Sequence, residues 1–152
     1  MTFILLAHIL LVVFAFGALL FPELFFHRIA ARCNDVATLR VLFGLATARG
    51  RIAAPALLVG ALVGLWYAHA AGYSLTAGWL IASYVVLICI FAVGGSFARR
   101  EQRCYKLAQE SPDGAPSAEL RAAIASDERS PMGYIALLLF VAIFYLMIAK
   151  PF

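Results

Sequence analysis

Four long apolar runs, separated by segments rich in arginine or in turn-forming residues, set the pattern of this chain. They cover about residues 3–21, 52–70, 77–97 and 132–149, and none contains Asp, Glu, Lys or Arg. At about 1.5 Å of helical rise per residue, roughly 19 residues cover a ~30 Å hydrocarbon core. Lipid cannot satisfy open backbone groups, and each run is about twice the length of a membrane β-strand, so helix is predicted for all four. The expected fold class is all-α: a polytopic membrane protein, an antiparallel four-transmembrane-helix bundle with cytoplasmic helical extensions, forming a single domain over residues 1–152.

Local signals refine the boundaries. Ser130-Pro131 predicts the start of the last span, a side-chain cap followed by a proline whose missing N–H costs nothing. Pro55, about one turn inside the second run, predicts a bend or a late start, and Pro22 and Pro151 mark the ends of the first and last runs. In the connection over 22–51, Asn34-Asp35 reads as a helix cap. Val36, Leu39, Phe43 and Ala46 follow at helical spacing with Arg40 on another face, an amphipathic helix that rests on the inner leaflet or extends the bundle. In the connection over 98–131, residues 99–109 continue the third helix, 111–114 form a turn and 118–126 a short helix. Met1-Thr2 supplies no basic region and no small-x-small site follows the first run, so that run is expected to be retained as a span.

Composition removes the soluble alternative. The chain is 64% apolar and 13% charged, against about one half and one quarter in soluble domains. Its formal charge of +4 is carried mainly by arginine, Lys106 and Lys150 being the only lysines. The cations lie between spans, where they act as topology signals rather than as a nucleic-acid surface. Arg28, Arg32, Arg40, Arg49 and Arg51 occupy the first connection, and Arg99, Arg100, Arg103, Lys106, Arg121 and Arg129 the third, whereas residues 71–78 carry no charge. The positive-inside rule predicts a multi-pass protein of a bacterial inner membrane with both termini on the outer side. Cys33, Cys89 and Cys104 have no metal-site or disulfide spacing and read as free thiols.

Small residues recur every fourth position in the second run: Ala56, Gly60, Gly64, Ala68 and Gly72. Such a stripe admits a neighbouring backbone, predicting helix packing within the bundle, self-association or docking to another membrane subunit. Trp66, Tyr67, Tyr73, Trp79 and Tyr145 gather near the outer boundary, as membrane anchoring alone requires. His8 lies roughly 9 Å below the outer start of the first span, and His69 and Met147 lie at similar outer depth. An intramembrane histidine is a functional-site candidate. Imidazole and thioether suit haem iron and copper, so His8 and His69 are candidate ligands of a b-type haem, and His8, His69 and Met147 of copper. His27 lies on the opposite, cytoplasmic side. Nucleophile–base pairs, in-span carboxylates and phosphate-cradling glycine loops are missing from the sequence. The expected function is therefore a non-enzymatic integral membrane subunit or accessory protein of a larger complex, with a haem- or copper-binding redox protein as the alternative.

A histidine near the start of the first span (His8), Gly17 and Pro22 further along, Pro55 and Gly64 in the second, Trp79 opening the third and a terminal Lys150-Pro151 complete the pattern. On these residues the chain resembles the four-span integral membrane proteins of domain-of-unknown-function family 2269. That family is distantly similar to copper-resistance D-type membrane proteins and to haem-binding protoporphyrinogen oxidases of the membrane. The resemblance implies a histidine of an early span as a haem or copper ligand, which maps to His8. The lysine that the oxidase type carries in a later span has no counterpart here, since Lys106 and Lys150 lie outside the spans.

Overall fold

The computed structural model describes residues 2–151, with every side chain in that range apart from those at positions 21–24. Five helices follow one another: α1 (Thr2–Arg32), α2 (Val36–Ala70), α3 (Gly78–Glu110), α4 (Ala118–Glu128) and α5 (Met132–Ala149). Among the described residues there is no strand. Four helical segments are long and apolar enough to cross a membrane: α1, α2, α3 and the segment that ends in α5. The protein is an all-α polytopic bundle, as its apolar pattern requires. α1 packs on α2, α2 on α3, α3 on α5 and α5 back on α1. Leu138 of α5 (68% exposed) and Ile88 of α3 (67%) point away from the bundle, a placement that only lipid makes favourable.

The helices are longer than a bilayer needs. α1, α2 and α3 have 31, 35 and 33 residues, or about 46–52 Å against a hydrocarbon core of ~30 Å. The excess lies at one end, which also carries eleven of the twelve Lys and Arg side chains. The twelfth, Lys150, sits at the other end beside the uncharged α2–α3 turn, where its Nζ donates to the Tyr73 hydroxyl (2.6 Å) and lies 4.2 Å from that ring's centroid.

The structure changes three expected boundaries. α1 continues past position 22 to Arg32, because Ala30 and His27 on its last turns are buried against neighbouring helices. The ring of Pro22 is outside the described side chains. The amphipathic segment and the second span are one helix, α2, with no late start at Pro55. Pro55 itself is exposed while Ala53 and Leu57 on either side are buried, so the missing N–H falls on the outer face and packing holds the helix through it. Val36, Leu39, Phe43 and Ala46 are all buried, so the segment extends the bundle. Its cap is the one expected: Asp35 Oδ2 accepts from the Thr38 amide (2.8 Å) and hydroxyl (2.6 Å). The Thr38 hydroxyl, ahead of the amide, holds the Asp35 carboxyl below its usual range. At α5 the Ser130 hydroxyl accepts from the Met132 amide (3.4 Å), and Pro131 takes the cap position, one residue later than the pattern implied.

The extensions form a small core of their own. Ala30, Leu39, Phe43, Cys104, Ala108 and Leu120 pack there, with Ala123 and Ile124 of α4 closing one side. A second cluster within the apolar layer joins Ala15, Leu20, Leu57, Ile90, Phe97 and Phe140, and a third at the uncharged end joins Ala68, Trp79 and Leu80. The α3–α4 turn is tied to the start of α2 by the Val36 amide, which donates to the Gly114 carbonyl (3.0 Å). Gly114 stands at φ +105°, a conformation that side chains rarely adopt.

Candidate functional site

His8 sits in the seam between α1 and α2. Its Nδ1 lies 2.7 Å from the Gly60 carbonyl oxygen. A carbonyl can only accept, so Nδ1 is the donor in this contact. The contact depends on a missing side chain one turn further along α2. A Cβ at Gly64 would stand 2.5 Å from His8 Cε1 and 2.6 Å from Nδ1. Residue i+4 normally shields the carbonyl of residue i in a helix, so the bare Gly64 opens Gly60 to the imidazole. At Gly60 an added Cβ would meet Leu11 Cβ at 3.1 Å and Val12 Cγ2 at 3.3 Å. The two glycines bring α1 and α2 together, and His8 fastens them.

The other candidates lie elsewhere. His69 is exposed in the last turn of α2. It follows Gly60 by nine residues, about two and a half turns, and so stands on the opposite face from the His8 contact. Met147 packs against the cluster of Ala68, Trp79 and Leu80. The three side chains share one end of the bundle, but the structure does not bring His69 to His8. Among the described residues, no three His, Cys, Asp or Glu side chains gather to hold a metal ion. Cys33, Cys89 and Cys104 are free thiols.

The small-residue stripe divides between partners. Residues four apart advance about 40° around a helix, so Ala56, Gly60, Gly64 and Ala68 wind across α2 instead of sharing one line. Gly60 and Gly64 meet α1, whereas Ala68 meets Trp79 and Leu80 of α3. Gly72 lies beyond the helix at φ +81°, where it makes the turn and a Cβ would meet open space.

The chain matches, over residues 2–151, the family described as predicted integral membrane protein, DUF2269. It belongs to this family. No match was found among curated proteins, and none among solved structures. In this DUF2269 protein, residues that carried the resemblance meet in pairs: His8 on Gly64, and Lys150 5.6 Å from the Trp79 ring centroid.

The polar residues that hold the charged end were read from the sequence only as topology charges. Arg49 Nη1 donates to the Ala18 carbonyl of α1 (2.9 Å) and Nη2 to Glu101 of α3. Glu101 is 3% exposed, so one guanidinium joins three helices. The signal for it was present: Phe97, Glu101, Cys104 and Ala108 form a helical stripe, all buried, with a carboxylate at an apolar position. Arg40 clamps the end of α3, its Nε donating to the Ala108 carbonyl (2.9 Å), Nη2 to the Ser111 carbonyl (2.7 Å) and Nη1 to Asp113 (2.8 Å). A cation on the last carbonyls of a helix also suits its dipole.

Proposed function

We propose that this DUF2269 protein is a non-enzymatic subunit or accessory protein of a larger complex in a bacterial inner membrane, with both termini on the outer side. One observation carries the reading: the polar side chains at its helix contacts tie the chain to itself. His8 bonds the α2 backbone, Arg49 joins α1 and α3, and Arg40 caps α3. Such ties make a rigid membrane scaffold, because a hydrogen bond in an apolar layer is poorly replaced once broken. The gathering of arginine at one end supports the orientation.

The reading is tested by gentle solubilisation and affinity capture of the chain at its native level. Other membrane subunits are expected in defined ratio with it. Recovery as a lone monomer at every detergent tried would contradict the proposal. Orientation is checked separately with a terminal tag, which protease should reach from outside intact spheroplasts; protection at both termini would reverse it.

A further inference from the structure

At the charged end, α1, α3, α4 and the start of α5 surround a half-open crevice. Arg28, Arg100, Asp127, Glu128 and Tyr134 line it together with the buried imidazole of His27, with Phe97 as an apolar wall. Its depth is that of lipid headgroups. Phe97 ends the apolar run of α3 and Met132 begins that of α5, so the crevice lies at the edge of the hydrocarbon layer.

Apart from the His27 imidazole, the charges here are balanced. Two guanidiniums face two carboxylates. Arg28 Nη2 donates to the Tyr134 hydroxyl (3.2 Å), which fixes it across the α1–α5 junction and leaves further N–H donors on an exposed side chain. Arg100 Nη1 lies 3.5 Å from Asp127 Oδ1. The first turn of α5 adds the positive end of a helix dipole. A simple anion would gain from the arginines and be repelled by the carboxylates. A zwitterion with its phosphate and ammonium one short linker apart satisfies both. Exposed Leu138 stands one turn up α5 from Tyr134, so an acyl chain leaving the crevice would run along apolar surface.

We propose that the headgroup of a phosphatidylethanolamine from the surrounding leaflet lies across the open mouth of this crevice. The phosphodiester lies against Arg28 and the start of α5, and the primary ammonium lies against Glu128. The assignment is independent of the accessory-subunit reading, since it concerns one chain and its lipid.

The full chain, purified in mild detergent, is offered equal amounts of phosphatidylethanolamine, phosphatidylglycerol and phosphatidylcholine, and retained lipid is read by native mass spectrometry. One ethanolamine lipid per chain is expected, retained about tenfold better than the other two, the loss of one charge-assisted contact. Arg28→Ala should lower its retention by about tenfold. Glu128→Gln, a mild change on an exposed side chain, should keep the fold and bring ethanolamine and glycerol lipids toward equal retention. Inorganic phosphate in excess should leave the lipid in place. Equal retention of all three lipids, no retained lipid, or indifference to Glu128→Gln would overturn the proposal. Displacement by phosphate would make the crevice a free-phosphate site and overturn it equally.

Discussion

An imidazole reaches a main-chain carbonyl inside a helix pair only where the following turn leaves that oxygen uncovered. Gly64 does this for Gly60, and His8 takes the opening. Gly64→Ala should therefore drive the ring out of its seat and cost about 1–3 kcal/mol in overpacking. His8→Ala removes the same bond from the other side, leaving a carbonyl that still serves its own helix, for about 0.5–1.5 kcal/mol. Because both act on one contact, the double variant should fall short of the sum. Thermal unfolding in detergent measures all three, and strict additivity would show that the ring and the glycine do not meet. That His8 mattered was legible from its place in an uncharged span. Its partner was not, because the rotation of one helix against another is set by packing across the bundle and leaves no mark in a single sequence. The same ignorance made His69 look like a companion, although it stands on the far face of α2.

Among the helices, most of what the apolar pattern implied is present, and the departures share a cause. The period of Val36, Leu39, Phe43 and Ala46 located the buried face of α2 correctly. The prolines suggested breaks that tertiary packing overrides, so two expected elements are one helix. Charges were harder to read. Counting arginines gave an expected orientation but concealed that Arg40 and Arg49 point inward to tie helices, a distinction of direction that a count cannot contain. Removing the buried carboxylate from the Arg49 contact, as in Glu101→Gln, takes the α3 charge partner from a guanidinium that joins three helices and should destabilise the bundle by about 3–5 kcal/mol; a melting temperature equal to that of the native chain would refute this role. The Asp35 cap should respond to acid. Its carboxyl is held below the ordinary range, so its contribution is complete above that range and disappears as pH falls through the lowered value. Amide exchange at Thr38, compared with an Asp35→Asn chain at each pH, should show protection that is lost on acidification. A constant difference between the two chains would contradict it.

For the molecule as a whole, the thiols report the arrangement of solvent, lipid and core. Cys33 lies partly exposed at the charged end, Cys89 exposed on the apolar span of α3, and Cys104 buried among the extensions. A water-soluble maleimide should label Cys33, a lipid-soluble one should add Cys89, and Cys104 should react only after unfolding. Labelling of Cys104 as fast as Cys33 would mean that the extensions have no core. The same core explains why the charged end is more than a set of topology signals: α4 and three helix ends bury apolar side chains there as a soluble protein would.

In the function we propose, the polar side chains act as structural ties rather than as ligands or catalysts, and His8 is where the two meanings diverge. The most direct measurement is the visible absorption spectrum and metal content of the natively purified chain. A colourless preparation without stoichiometric iron or copper is predicted, for native chain and His8→Ala alike. A Soret band or a bound copper that vanishes in His8→Ala would contradict it.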